Sequence, residues 1–468
     1  MKSGNADGGK RPQLRANARS NEDGGIGVSL TTPASVQKLQ TALQAKAKEA
    51  PDDRFYALYD KVYRKDVLAF AYECCKANGG AAGVDGQTFE DIEAYGRERW
   101  LDALAQELNS RTYRPLPVRR VYIPKPDGKQ RPLGVPAIRD RTAETAAVLV
   151  LEPIFEADLP SEQYAYRQDR SALDAVRHVH KLVNTGHGEI VDADLSSYFD
   201  TLPHSELLKS VARRVVDGAM LQLIKMWLEA PVEETDEHGN KRRSTRNRDE
   251  GRGTPQGSPI SPLLSNLYMR RFVLGWKKLG HEQRLKARIV NYADDLVICC
   301  RGGGAQALDA MRNMMRRLRL TVNDTKTRVC KLPEEKFDFL GYTFGRCYSP
   351  QTGRAYLGTT PSKQRVQRVC AAISEMTRRN RTPLDVGILV ASLNRLTIGW
   401  ANYFCLGPVS KAYRLVERHT RRRLRRWLCA KHKVPGGGLK RYPDDTPHDK
   451  LGLVRLTLRT ASLPWATA

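Results

Sequence analysis

Residues 289–300 read IVNYADDLVICC, and within them the adjacent carboxylates Asp294 and Asp295 lie between two apolar runs. The flanking Val and Ile residues are typical of β-strands, and Asp is common in hairpin turns because it hydrogen-bonds nearby backbone groups. A solvated hairpin tip would explain the pair without any chemistry. Two like charges held side by side repel each other, however, and a divalent cation relieves that repulsion best. The stretch therefore predicts a hairpin whose tip is either a solvated turn or part of a metal site.

The composition favours a nucleic-acid partner. The 468 residues carry a formal charge of +26, more than solubility requires, and a balance this basic favours a polyanion. A chain of this length predicts about two to four domains. No run approaches the roughly 18 apolar residues of a membrane span, and the polar N-terminus is unlike a signal peptide, so we expect a cytoplasmic protein without membrane contact. The cysteine pairs Cys74–Cys75 and Cys299–Cys300 lie in apolar runs, which predicts buried thiols.

Composition also changes along the chain. Residues 1–35 are rich in Gly, Asn, Ser, Lys and Arg, which predicts disorder. Helical apolar spacing follows, and residues 119–136, RRVYIPKPDGKQRPLGVP, predict two short strands joined by a Pro-Asp-Gly turn. Residues 232–253 are almost wholly polar and predict a loop.

A third carboxylate comes from residues 190–200, IVDADLSSYFD. Asp192 and Asp194 share one face of an extended strand because side chains alternate along it. An edge strand with exposed acids would explain them. Together with Asp294 and Asp295, however, a strand acid can hold two Mg²⁺ ions about 3.5–4 Å apart, the arrangement for in-line phosphoryl transfer. All-oxygen ligands suit Mg²⁺ better than softer metals.

The C-terminal third is strongly basic. Residues 361–440 hold 18 Lys and Arg against 3 Asp and Glu. An apolar helical pattern within them is surrounded by five arginines in six positions, Arg421, Arg422, Arg423, Arg425 and Arg426. A solvated helix face is the ordinary explanation of a charge run. Because five arginines repel each other strongly, a phosphate-contacting surface is the better prediction.

Six blocks now stand in the order found in reverse transcriptases: IPKPDGKQRPLGVP, DLSSYFD, GTPQGSPISPLLSN, YADD, NDTKT and FDFLGYTF. The set resembles the group II intron-encoded reverse transcriptase/maturase family, and the resemblance runs from about residue 79 to residue 404. It implies an α+β right-hand polymerase, whose palm is a small antiparallel sheet backed by helices with three Asp at one edge.

The implied domain order is a helical extension with the start of the fingers in 36–115, fingers and palm in 116–345, and an α-helical thumb/maturase domain in 346–430. Residues 431–468 would form a basic tail. We expect no DNA endonuclease module of the kind that longer family members carry.

The resemblance also assigns the acidic residues. Asp194, Asp294 and Asp295 match the three carboxylates that bind two Mg²⁺ ions in the palm. Phe199 fixes the register on Asp194 rather than Asp192. The same Phe199 matches the aromatic gate that excludes a ribose 2′-hydroxyl, although a core aromatic is the alternative.

Five further residues match positions that handle the nucleotide or the template. Gln256 matches the residue that contacts the incoming nucleotide, and Lys125 and Arg131 match the fingertip residues that clamp its triphosphate, where Arg can bind phosphate bidentately. Lys326 matches a lysine that protonates the pyrophosphate leaving group, although it could simply bind phosphate. Arg167 would contact the template strand. The sequence departs from the family at Ala193, usually Gly, at Glu144, usually Gln, and at YAYR in 164–167, which weakens the template assignment.

The expected function is that of an RNA-directed DNA polymerase. It would bind a group II intron RNA, assist its splicing and copy it into cDNA from deoxynucleoside triphosphates, primed at a DNA target by a nick or a replication fork. A domesticated relative in phage defence or DNA repair is one alternative. A non-catalytic RNA-binding maturase is another, although its signature, the loss of a metal carboxylate, is not seen. The sequence leaves open the intron, the target site, the source of the primer and the oligomeric state.

Overall fold

The structure, a computed structural model, describes residues 30–124, 130–236, 238–349 and 351–463. The segment predicted to be disordered lies outside these ranges as far as residue 29, and so does the predicted clamp residue Lys125.

Helices dominate the described part of the chain. They are α1 Ala34–Glu49, α2 Tyr59–Val62, α3 Lys65–Asn78, α4 Phe89–Tyr95, α5 Arg97–Asn109, α6 Ile138–Glu156, α7 Ala172–Asn184, α8 Tyr198–Thr201, α9 His204–Ala212, α10 Gly218–Leu228, α11 Arg246–Asp249, α12 Ser261–Lys278, α13 His281–Arg284, α14 Gly304–Arg317, α15 Lys363–Met376, α16 Val386–Tyr403, α17 Ser410–Lys431 and α18 Thr446–Asp449. Two 3₁₀ segments are Arg379–Arg381 and Leu456–Ser462.

The strands form three small sheets. They are β1 Val118–Pro124, β2 Gln130–Val135, β3 Glu189–Asp194, β4 Val232–Thr235, β5 Lys241–Ser244, β6 Ala287–Tyr292, β7 Asp295–Cys300, β8 Arg328–Lys331, β9 Phe337–Phe339, β10 Tyr342–Tyr348 and β11 Ala355–Pro361. The sheet orders are β2-β1-β4-β5, β11-β10-β9 and β6-β7-β3-β8. This mixture of helices and small sheets confirms the α+β class.

The sheet β6-β7-β3-β8 is antiparallel and is buried on both faces. Neighbouring residues of a strand enter different cores: Val191 packs into one apolar cluster and Ile190 into another. Along β7, Leu296, Ile298 and Cys300 face the first cluster, while Val297 and Cys299 face the second. Because side chains alternate across a strand, a strand that is buried on both faces must be apolar throughout. This explains why the sequence around the acidic pair lacks polar alternation.

The cysteines of β7 confirm the prediction of buried thiols. Cys299 and Cys300 are both fully buried, and they form no disulfide. Burial raises the pKa of Cys300 to about 12 and raises that of Cys299 as well. Both groups therefore remain protonated thiols at neutral pH.

Helix α6 lies at the centre of the larger cluster and is buried around most of its circumference. Its alanines Ala143, Ala146 and Ala147 are fully buried, and such small side chains let neighbouring helices approach closely. Helices α1 and α3 pack against it, and Gln40 of α1 donates from its side-chain amide to the Leu149 carbonyl at 3.1 Å. A helix that is buried around most of its circumference has to be enclosed by neighbouring elements in this way.

The polar segment 232–253 does not form the predicted loop. It contains β4, β5 and α11, and β4 pairs in parallel with β1 through Val118 and Val232. Glu233, only 3% exposed, forms ion pairs with Lys241 at 3.3 Å and Arg243 at 2.9 Å. The prediction was wrong because β5 is an exposed edge strand, and such a strand needs no apolar alternation.

Helices α15, α16 and α17 enclose a separate apolar core. The segment predicted as a basic tail contributes to it, because Leu453 and Leu456 are buried against these helices. In the described ranges, no helix combines the length and apolar character that crossing a membrane requires. The boundaries of the predicted domains and their right-hand arrangement remain predictions.

Candidate active site

The β3–β7 pairing brings the predicted carboxylates together. Asp194, the last residue of β3, lies directly opposite Asp295, the first residue of β7. Side chains in such positions have Cβ atoms about 4.5–5.5 Å apart. Asp294 occupies the two-residue turn that joins β6 to β7, since Tyr292 pairs with Asp295 across it. The acids thus lie at the ends of two central strands rather than along an edge strand.

The turn itself is held by a residue that sequence reasoning missed. Ala293 has a φ of +57°, in the left-handed region that disfavours residues with a Cβ by roughly 1–2 kcal/mol. Asn291, fully buried, donates from Nδ2 to the Ala293 carbonyl at 2.8 Å and to the Asp295 carbonyl at 3.4 Å. Its amide therefore compensates for the strained turn and fixes both acids. A single Asn within a buried apolar strand was the available signal.

The NDTKT segment places a cation and an amide beside Asp194. Asn323 donates from Nδ2 to Asp194 Oδ2 at 2.9 Å, and Lys326 Nζ lies 3.4 Å from the same oxygen. Thr327 Oγ1 accepts from the Asp194 backbone N–H at 3.2 Å. The structure therefore brings the predicted Lys326 to the acidic cluster. Asn323, which sequence reasoning did not single out, orients the carboxylate.

Repulsion among the acids is visible in their ionisation. The pKa of Asp295 is raised to about 7 by desolvation and then by the carboxylates of Asp294, Asp192 and Asp194, while Arg365 lowers it. The Asp295 side chain remains exposed, so water moderates the desolvation, whereas the negative neighbours act in either case. Desolvation also raises the pKa of Asp192 to about 6. Such a cluster favours binding of a cation.

The donor set fits Mg²⁺, because it consists of carboxylate oxygens. Among the described residues, no three carboxylate, imidazole or thiol side chains are arranged so that they could hold an ion by themselves. Mg²⁺ is ordinarily held by one or two carboxylates, with water and substrate phosphates completing its octahedron. An open acidic cluster therefore suits an ion that is shared with a nucleotide.

Two residues C-terminal to the sheet also face the cluster. Arg365 of α15 is the cation that lowers the pKa of Asp295, and it also opposes the rise in the pKa of Tyr403. The Arg365 side chain lies over Gly341, where a Cβ would come within 3.1 Å of its Cγ and Nε. Tyr403 donates to the Leu340 carbonyl at 2.7 Å. The helical C-terminal part of the chain therefore reaches the acidic end of the sheet.

The predicted nucleotide-binding residues meet at a neighbouring loop. Arg131 of β2 donates from Nε to Gln256 Oε1 at 3.1 Å. Gln256 donates from Nε2 to Asp200 Oδ2 at 3.4 Å. Its backbone carbonyl accepts from the Gly134 N–H at 2.6 Å. Arg131 and Gln256, distant in sequence, are thus direct neighbours beside the end of β3.

Phe199 lies next to this loop. Its carbonyl accepts from the Thr254 N–H at 2.7 Å, and its ring meets Tyr198 edge-to-face, with centroids 5.7 Å apart. The residue is 7% exposed. This position is compatible both with an aromatic gate and with a core aromatic, so the gate remains a prediction.

The prediction that Arg167 contacts the template strand is wrong. Arg167 is 5% exposed, and its guanidinium binds both carboxylate oxygens of Glu156 at 2.6–3.0 Å. It also donates to the carbonyls of Pro160 and Gln163. A nucleic-acid phosphate therefore finds no accessible donor on this side chain.

The arginines of α17 have two different roles. Arg425 is 5% exposed and donates to the Tyr442 carbonyl and to Asp444, which also pairs with Arg421 at 3.0 Å. Arg423 donates to the carbonyls of Ser374 and Thr377. Their positive charges therefore tie α17 to neighbouring segments, and the predicted nucleic-acid contacts of these three arginines are not supported.

The remaining arginines form an exposed stripe. Arg422 and Arg426 are exposed, as is Arg418, one turn earlier. These three residues, spaced four apart, line one side of a pocket of about 240 Å³. Residues spaced four apart share one face of a helix, so the stripe Arg418–Arg422–Arg426 is a better candidate phosphate-contacting surface than the contiguous run.

Two protein-family models match the chain. One, described as reverse transcriptase (RNA-dependent DNA polymerase), covers residues 123–344. The other, described as the group II intron maturase-specific domain, covers residues 366–442. The acidic cluster lies within the first range, and the arginine stripe lies within the second.

Several known proteins are similar in sequence. Protein YkfC of Escherichia coli (strain K12) is 33% identical over 368 residues, which cover 70% of this chain and 93% of YkfC. The group II intron-encoded protein LtrA of Lactococcus lactis subsp. cremoris is 31% identical over 239 residues, 50% of this chain and 38% of LtrA. The putative COX1/OXI3 intron 1 protein of Saccharomyces cerevisiae is 27% identical over 59% of this chain and 38% of its own length.

The chain therefore belongs to the group II intron-encoded reverse transcriptase/maturase family. This confirms the family resemblance of the sequence motifs. The chain joins a reverse transcriptase domain and a maturase domain in one polypeptide.

Replacing Arg418, Arg422 and Arg426 with Gln should weaken nucleic-acid binding and flatten its salt dependence. Each phosphate contact releases condensed counterions, so the slope of log affinity against log salt should fall by roughly 0.7–0.9 per lost contact. Binding of a labelled RNA, measured across a salt series, checks this. The control replaces Lys278, Lys286 and Arg317, which are exposed, with Gln and removes the same charge. Equal slopes for the two variants would contradict a phosphate-contacting stripe.

Phe199→Val should raise ribonucleotide incorporation relative to deoxyribonucleotide incorporation, because the smaller side chain leaves room for a 2′-hydroxyl. The measurement is the ratio of kcat/KM for a deoxynucleotide to that for the matching ribonucleotide on one template. Phe155→Val, at a core phenylalanine of α6 that is 1% exposed, controls for loss of packing. If the two variants keep the parental ratio, Phe199 is a core residue only.

Proposed function

We propose that this protein is an active RNA-directed DNA polymerase that binds a group II intron RNA, assists its splicing and copies it into cDNA from a DNA primer. The observation that carries the catalytic part is the register of β3 and β7, which sets Asp194 opposite Asp295, beside Asp294 in the turn. Family membership supports the intron RNA as partner.

The proposed arrangement is a right hand. Residues 116–345 would form fingers and palm, with the sheet β6-β7-β3-β8 as the palm, and residues 346–430 the thumb and maturase domain. The separate core around α15–α17 supports an independent thumb. The approach of Arg365 to Asp295 supports a thumb that closes over the primer end.

Within this site, Asp194, Asp294 and Asp295 would hold two Mg²⁺ ions. When bound, Mg²⁺ neutralises charge that develops on the attacking and leaving oxygens of a phosphoryl transfer. Lys326, 3.4 Å from Asp194, would give a proton to the leaving pyrophosphate or bind it. Gln256 would orient the incoming nucleotide.

The triphosphate would lie against Arg131, whose fork geometry matches phosphate oxygens. In the described structure, Arg131 donates to Gln256, so binding of a nucleotide would exchange this contact for phosphate oxygens. A maturase without polymerase activity is the weaker proposal, because all three carboxylates are present and adjacent. We retain a domesticated role in phage defence or repair as an alternative use of the same activity.

Asp294→Asn should abolish most primer extension while preserving binding of primer and template. The substitution keeps the shape of the side chain and removes the charge that two cations require, so the extension rate should fall by about 10³-fold or more. The assay follows a labelled DNA primer on an RNA template with Mg²⁺. Asp309→Asn, on the exposed face of α14, is the matched control. Extension by Asp294→Asn at a rate near that of the control would refute the assignment.

A further inference from the structure

Three of the hydrogen bonds that attach the loop carrying Gln256 to the protein join it to α8, β2 and α6. Thr254 donates its N–H to the Phe199 carbonyl at 2.7 Å, and the Gln256 carbonyl accepts from the Gly134 N–H at 2.6 Å. The third attachment is the side chain of Ser258, which donates from Oγ to Glu144 Oε2 at 2.5 Å. The first two attachments use backbone groups, whereas the third joins two buried side chains.

The loop lies close against β2 at Gly257. Gly257 has a φ of +122°, and a Cβ there would lie 2.3 Å from the Gly134 carbonyl oxygen. Ser258 is 2% exposed and Glu144 is 3% exposed, so water cannot replace their hydrogen bond. Removing either partner should therefore allow the loop, and Gln256 with it, to shift.

Glu144 is an unusual residue for an apolar environment. It projects from the largely buried helix α6, and its carboxyl accepts from the Ser258 hydroxyl and the Ile260 backbone N–H rather than from a cation. Desolvation, opposed by the hydrogen bonds from Ser258 and Ile260 and assisted by the nearby Asp140, raises the pKa of Glu144 to about 8. The group is therefore mostly uncharged at neutral pH, as a glutamine would be.

We propose that Glu144 is a positioning residue for the incoming nucleotide, acting through Ser258 to hold Gln256. This inference rests on the proposed polymerase function, in which Gln256 contacts the nucleotide. The Glu144 side chain does not touch the substrate. It accepts the hydrogen bond from Ser258 that holds the loop against α6. Removal of the Glu144 carboxyl should therefore affect nucleotide binding more than the chemical step.

The test compares Glu144→Ala, Ser258→Ala, the double variant and Glu144→Gln in steady-state incorporation of one deoxynucleotide at saturating primer and template. Loss of a buried hydrogen bond should raise KM for the nucleotide by roughly 5- to 50-fold in each single alanine variant, with a smaller effect on kcat. Glu144→Gln should restore KM to near the parental value. The double variant should have a KM for the nucleotide no higher than that of the more affected single variant, because both changes remove the same Ser258–Glu144 hydrogen bond.

A matched control comes from the same helix. Glu152, two turns further along α6, also has a raised pKa through burial, but its charged neighbour is Glu156 rather than the loop. Glu152→Ala should therefore leave KM for the nucleotide unchanged. Thermal unfolding of every variant separates loss of stability from loss of nucleotide binding.

The inference is overturned if Glu144→Gln raises KM as much as Glu144→Ala, if the two single effects multiply, or if Glu152→Ala raises KM equally. If Glu144→Ala fails to fold, Ser258→Ala and Glu144→Gln still decide between these outcomes. A parental protein that extends no primer would instead refute the proposed polymerase function.

Discussion

Repulsion between the carboxylates of Asp194, Asp294 and Asp295 is the constraint on which the rest of the structure depends. Like charges are held together only where the backbone that carries them cannot relax. Here that backbone belongs to two central strands, each packed between two apolar cores. Asn291 fixes the turn from inside the sheet. The rigid sheet therefore holds the three carboxylates close together despite their mutual repulsion, and a bound cation would reduce that repulsion.

Several basic side chains lie near this acidic cluster. Lys326 contacts Asp194 directly, Arg365 acts on Asp295 from the C-terminal helices, and Arg131 lies beside Gln256. A polyanionic substrate can therefore be held by cations on several sides while its reacting phosphate meets the carboxylates. Part of the positive charge of the sequence serves contacts within the chain instead, as at Arg167 and Arg425.

Arginine in this protein has two uses that look alike in sequence. Arg167 and Arg425 are buried and donate to carbonyl and carboxylate oxygens of the chain itself. Arg422 and Arg426, on the same helix as Arg425, face solvent. Five planar donors allow one guanidinium to join several backbone segments, so an arginine-rich helix can serve as an internal brace on one face and as a phosphate-contacting surface on the other.

The sequence by itself determined the family, the α+β class and the acidic hairpin, and the family resemblance grouped its acids with Asp194, because ordered motifs and strand alternation can be read along the chain. Only the tertiary structure decided that Asp194 pairs with Asp295, that Arg167 is internal, that residues 232–253 extend a sheet, that Asn291 holds the β6–β7 turn and that Glu144 bonds the Gln256 loop. Most of these depend on a contact between segments far apart in the chain, such as Glu144 with Ser258. Residue type and spacing give the chemistry a side chain can perform, whereas burial and the partner it meets are fixed only when distant surfaces pack together.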